Sequence, residues 1–128
     1  MNENELKKRT KQFGLRVIKL VEALPNTTTA RTIGNQLLRS GMSVGANYRE
    51  AFRSRSRAEF LAKVGDCLKE IEETNYWLEL LVDGGIVSET RLSSLRQESN
   101  ELTAIFVAIS KTLRSSQNWK QAILLPNS

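Results

Sequence analysis

The stretch NYREAFRSRSRAEF, residues 47–60, sets four arginines, Arg49, Arg53, Arg55 and Arg57, within nine positions against two acids, Glu50 and Glu59. Clustered guanidinium groups suit phosphate, because their planar N–H donors grip its oxygens in pairs. Lys7, Lys8, Arg9 and Lys11 form a second basic cluster near the N-terminus, and Arg39 stands between the two. Together they offer shape- and charge-led binding of a nucleic acid, RNA or DNA, with little base reading. Two other uses of the charge stay open: pairing with acidic surfaces of partner subunits, and simple solvation of helical surfaces.

Catalytic chemistry has less to work with. Histidine is absent, which removes the commonest general base and the commonest metal ligand. Glu50, Glu70 and Glu73 are candidate carboxylates, but no Glu-x-x-His motif accompanies them. Cys67, beside apolar Leu68, reads as a small buried residue without a histidine to activate it. Neither GxxxxGK[ST] nor GxGxxG occurs, and no Cys/His spacing suits zinc. The expectation is therefore no catalytic residue, no metal and no cofactor. Tyr76 and Trp77 could stack on bases, but before LELL they read as packing residues.

These residues must be positioned by helices. The chain has 128 residues, 40% apolar and 26% charged, which fits one soluble domain spanning 1–128. Two prolines and few aromatics leave long stretches free to continue as helix. One cysteine excludes an intrachain disulfide, and neither a signal segment nor a membrane-length apolar run is visible, so a cytoplasmic location is expected.

Leu6, Thr10, Phe13, Val17, Leu20 and Leu24 alternate four- and three-residue steps, predicting a helix over about residues 4–24. Ile33, Leu37, Gly41, Val44, Tyr48 and Ala51 mark a second, over about 28–53, with the preceding threonines as caps. Ser56 and Glu59 form a capping-box pattern before a third at 57–83, lined by Phe60, Val64, Leu68, Ile71, Leu78 and Val82 and stopped by Gly84-Gly85. Ser88 opens a fourth at 88–115, where Leu92, Leu95, Ser99, Leu102, Phe106, Ile109 and Leu113 repeat at heptad spacing. The tail, 116–128, lacks this pattern, although Trp119 has packing potential. The predicted fold is all-α, an antiparallel up-down-up-down four-helix bundle.

Charge is divided along the chain: residues 31–63 carry a balance of +5 and residues 66–83 one of −5, within a total of +5. Beside the apolar face of the second helix runs a polar seam of Gln36, Ser40, Ser43, Asn47 and Glu50. If buried, it needs hydrogen-bond partners, and Glu70, Glu73, Thr74 and Asn75 of the third helix or a symmetry-related subunit are the candidates. Leu38, Leu61, Trp77 and Leu80 lie outside the core stripes and predict oligomerisation that covers them.

The stretches QLLRSGMSVGANYREA and SRAEFLAKVGDCLKEIEETNYWLELL resemble the bacterial four-helix bundle proteins first described as products of intervening sequences in 23S ribosomal RNA genes. Asn47, Arg49, Glu50, Ser56, Phe60, Lys69, Glu70, Glu73, Thr74, Tyr76, Trp77 and Leu78 carry the resemblance. It implies a cytosolic ring-like homopentamer with no established enzyme activity. In fold and charge the chain also looks related to the accessory variability determinants of diversity-generating retroelements, which implies nucleic acid and a reverse transcriptase or other partner protein. The chain departs from the family pattern at Leu38, where a second arginine is frequent, and at Phe52, where a small residue is usual.

Overall fold

Four amphipathic stretches fold as α1 (Glu3–Glu22), α2 (Thr28–Ala51), α3 (Arg57–Asp83) and α4 (Glu89–Ser115) in a computed structural model that describes residues 1–115. The tail and Trp119 lie outside the described residues. Five residues separate each helix from the next, a length suited to antiparallel neighbours. Each helix packs against its sequence neighbour, and α1 meets α4 to close an up-down-up-down bundle. That last seam is the thinnest of the four.

The helix ends follow local chemistry. The Thr27 and Ser88 hydroxyls accept backbone N–H bonds from Ala30 at 3.1 Å and Arg91 at 3.2 Å, satisfying donors in the first turns. Ser56 accepts from the Glu59 N–H at 3.1 Å, while the Glu59 carboxylate reaches back to the Arg55 N–H at 3.2 Å, one residue before the cap. At the end of α3, Gly85 adopts φ 72°, and the Gly85 and Ile86 N–H groups bond the carbonyls of Val82 and Leu81. This Schellman closure needs the left-handed backbone that glycine tolerates. Two helices stop two residues early. Pro25 disfavours helical geometry at Leu24, and after Ala51 the N–H groups of Phe52, Arg53 and Ser54 bond carbonyls three residues back.

The expected core positions of α4, from Leu92 to Leu113, are all buried. On α3 the buried line runs through Phe60, Val64, Cys67, Ile71, Thr74, Leu78 and Leu81, so Leu68 and Val82 are only partly buried. An unbroken 4,3 alternation selects Cys67 and Thr74 despite their polarity, because position on the helix outweighs side-chain hydropathy. Thr74 donates to Ser40 Oγ at 2.9 Å, Ser40 lies 3.4 Å from the Leu37 carbonyl, and the Glu70 carbonyl is a second acceptor, 2.8 Å from Thr74. This link satisfies two buried hydroxyls across the α2–α3 seam.

Leu38, Leu61, Trp77 and Leu80 do not form outward apolar faces: each is partly buried and packs against the core. Long side chains beside a core stripe fold back over it and cover its edges. Among the described residues the exposed large apolar ones are instead Leu15, Met42, Tyr76 and Val107.

Small residues set the α1–α2 spacing. A Cβ on Gly41 would lie 2.8 Å from Val17 Cγ2 and 3.1 Å from Val17 Cβ, against a stiff β-branched side chain. A Cβ on Gly65 meets nothing within 4 Å. Gly65→Ala should therefore stabilise the protein by about 0.5–1 kcal/mol through helix propensity. Gly41→Ala should destabilise it by about 1 kcal/mol net, because overpacking outweighs the same propensity gain. Urea unfolding of the two variants beside the parent checks the opposite signs.

Candidate functional site

Antiparallel connectivity brings the start of α1, the end of α2, the start of α3 and the end of α4 to one end of the bundle. Aromatic contacts tie these segments together. The Tyr48 ring lies 5.0 Å from Phe52 and 5.6 Å from Phe106, and Phe52 lies 5.7 Å from Phe60, all edge to face. Lys7 Nζ sits 4.6 Å from the centroid of Phe52, a cation–π contact that binds α1 to the α2–α3 turn. Phe52 thus joins α1, α2 and α3 at this end of the bundle.

Both expected basic clusters gather here, but their members have different fates. Arg9 donates from Nε and Nη2 to Glu98 at 2.8 and 2.6 Å and from Nη2 to Glu101 at 2.9 Å, bridging α1 to α4. Hydrogen bonding to Glu98 above all raises its pKa further, so this cation is internally neutralised. Lys7 pairs with Glu3 at 3.1 Å. Arg39 stands apart from the basic end and bridges to α3, bonding Glu70 at 3.3 Å and pairing closely with Glu73. Trp77 Nε1 donates to the same Glu73 at 3.1 Å, which explains this tryptophan as a structural member of the network.

Arg49, Arg53, Arg55, Lys8 and Lys11 are exposed and Arg57 is partly exposed. Among the described residues none of these six side chains makes an ion pair or a hydrogen bond, although Arg53 helps to lower the pKa of nearby Glu50. Residues 116–128 contain no Asp or Glu to neutralise them either. Lys111 and Arg114, exposed on the last turns of α4, join this end. The sequence reading missed both because they are far from the arginine run in sequence. Laying the last turns of α4 beside the first turns of α1 was the signal that finds them.

The polar seam divides similarly. Ser40 belongs to the buried link with Thr74. Gln36 accepts from Arg39 Nε at 3.3 Å, Ser43 bonds the Arg39 carbonyl in its own helix, and Asn47 is half-buried. Glu50 is exposed rather than part of a buried seam. Its bond from Lys63, 2.8 Å long, lowers its pKa and raises that of Lys63. Glu50 and Glu73 are held by different cations, and Arg39 lies eleven residues, roughly 16 Å along α2, from Glu50. They do not converge as an acid–base pair. Among the described residues no three Cys, Asp or Glu form a metal-binding group, and no helix is long and apolar enough to cross a membrane.

Between α1 and α2 a groove of about 270 Å³ opens beside the basic end. Leu15, 42% exposed, and Met42, 50% exposed, flank its small floor of Gly14, Gly45 and Ala46, while Lys11 and Arg49 also line it.

A sequence profile of the 23S rRNA-intervening sequence protein family matches residues 2–108, from the cap of α1 into the last turns of α4. The chain belongs to this family. A crystal structure from Bacteroides thetaiotaomicron, of a protein with unknown function from the S23 ribosomal protein family, is similar with a TM-score of 0.81. It is 37% identical, and the match covers 87% of this chain and 99% of that one. No curated protein matches. The stretch shared with the 23S rRNA-intervening sequence proteins includes the arginine-rich turn and both bridging arginines, Arg9 and Arg39.

Cys67 lies wholly inside this family's bundle, its thiol 3.6 Å from the Val44 carbonyl. Burial, helped by the charge of Asp66, pushes the thiol up to about 12. A free cysteine ionises near pH 8.5, so its neutral form stabilises the fold fully below that pH, and the contribution is lost as pH rises toward 12. Tyr48, also raised chiefly by burial, acts in the same direction. Native Cys67 should resist an aromatic disulfide reagent at pH 8 and react after unfolding in urea. Stability should fall across the alkaline range less steeply in Cys67→Ala than in the parent, as read by urea midpoints at several pH values.

Proposed function

We propose that the protein is a non-enzymatic, homo-oligomeric nucleic-acid-binding or accessory scaffold protein whose basic end holds phosphates. The observation that carries this reading is the set of Arg49, Arg53, Arg55, Arg57, Lys8 and Lys11 at one end, without a side-chain ion pair among the described residues. Four other cations are already partnered: Arg9, Arg39, Lys7 and Lys63. Lys111 and Arg114 extend the unpaired set onto a fourth helix. A nucleic acid laid across this end would release condensed counterions, so its affinity depends on salt more than on sequence.

Exposed Leu15 and Met42 support assembly, because burying them against another copy removes apolar surface from water. The family resemblance adds the number, five subunits in a ring, and the separate likeness in fold and charge to the accessory variability determinants offers a reverse transcriptase or another protein as something that such a ring could hold. A second reading is a protein-interaction module without nucleic acid. It is favoured by one fact: Lys11 and Arg49 line the same groove as these apolar residues and could serve a subunit contact there.

Fluorescence anisotropy with unrelated RNA and DNA oligonucleotides should show binding that weakens steeply with salt and varies little with sequence. Replacing Arg49, Arg53, Arg55 and Arg57 together by glutamine should weaken RNA and DNA binding by similar factors, on the order of tenfold or more, and flatten the salt slope. Arg9→Gln and Arg39→Gln should instead lower stability and leave the salt slope near that of the parent. Loss of the assembly in the four-arginine variant, or no parent binding at about 50 mM salt where screening is modest, would favour the interaction module.

Light scattering at micromolar concentration should give a mass several times the 14.5 kDa of one chain. Leu15→Glu with Met42→Glu should reduce it, since two charges would then enter an apolar contact. A stable single-chain mass for the parent removes the assembly from this reading.

A further inference from the structure

At the opposite end of the bundle from the arginine-rich turn, the thin α1–α4 seam leaves an open gap of about 260 Å³. Its floor is Leu20, Leu92 and Leu95, and its rim is Arg16, Lys19 and Arg91. We propose that this gap is a phosphate-binding site in which Arg16, Lys19 and Arg91 converge on one phosphoryl group.

Three cations line the gap, and no carboxylate does. Lys19 and Arg91 are exposed and Arg16 is half-buried, so the three positive charges border the apolar floor on its solvent side, where a dianion would be attracted by all three. Among the described residues none of the three forms an ion pair, although Glu22 and Glu89 are close to Lys19 and Arg91 in sequence. Arg16 is held in place, since its Nη2 donates to Ser94 Oγ at 2.9 Å. That bond leaves its other guanidinium donors for a ligand. Arg91 projects from the first turn of α4, whose amide dipoles also favour an anion, while Lys19 offsets the carbonyl end of α1.

The site does not rest on the basic end. Arg16, Lys19 and Arg91 occupy the other ends of their helices, beyond the internally neutralised Arg9. Its ligand chemistry is a phosphoryl group, which could come from a nucleic-acid backbone or from a free phosphate compound.

The test follows the arginine Nε–H signals of isotopically labelled full-length protein by nuclear magnetic resonance, titrated with inorganic pyrophosphate and separately with a short oligouridylate. The expected result is saturable shifts of Arg16 and Arg91 with at least one probe, the Arg16 shift weakened roughly tenfold in Arg91→Gln and the Arg91 shift likewise in Arg16→Gln. Shifts with pyrophosphate identify a free phosphate as sufficient. Shifts with oligouridylate alone, retained when Arg49, Arg53, Arg55 and Arg57 are glutamine, identify a backbone phosphate and separate this site from the basic end. The parent titration stands without the variants, should these fold poorly. Absence of saturable Arg16 and Arg91 shifts with both probes at millimolar concentration overturns the proposal, as does an unchanged affinity read from the remaining arginine in each folded single variant.

Discussion

Five-residue connections govern this molecule more than any individual contact does. With so little chain between them, successive helices must run antiparallel and keep their ends level, so positions far apart in sequence become neighbours at one end. The charge of the chain is thereby converted from a pattern along a line into a pattern in space. Lys8 and Lys11 come to Arg49 and Arg53, and the start of α3 adds Arg57 beside them. The buried stripes supply the cohesion, but the turns decide which surface residues share a face.

How charge is used differs with depth. Where α1 meets α4, and where α2 meets α3, arginines are bound by carboxylates on the adjacent helix: Arg9 by Glu98 and Glu101, Arg39 by Glu70 and Glu73. Such partly exposed pairs contribute little each, on the order of 1 kcal/mol or less, and their main effect is geometric. The arginine-rich turn has no such internal acceptors among the described residues. Its charge therefore projects into solvent, and at low salt its field extends about 10 Å or more from the surface.

Helix content and most of the core were legible in the sequence because apolar spacing is a local property. The α4 stripe, seven residues from Leu92 to Leu113, needs nothing but its own periodicity to be recognised. Capping by Thr27, Ser56 and Ser88 is local too. The misreadings arise where hydropathy and position disagree, as at Leu68 and Val82, or where a side chain bends over the core edge, as Trp77 and Leu80 do. The basic site was legible as an arginine count. Which cations are consumed internally was not, because Glu98 is 89 positions from Arg9 and their meeting depends on the closure of α1 on α4.

The hydroxyl link between Ser40 and Thr74 has a bearing on how the chain finds this arrangement. Repeating apolar stripes have an ambiguity: two helices slid past one another by seven residues still set leucine against leucine. Such a slipped pair would bury nearly the same oil-like surface, yet it would bring Thr74 opposite a different residue and forfeit the bond between the helices, leaving each hydroxyl only a carbonyl of its own helix. Arg39 would likewise miss Glu70 and Glu73. The polar atoms between α2 and α3 thus act as a vernier on the hydrophobic scale, penalising every alignment but one.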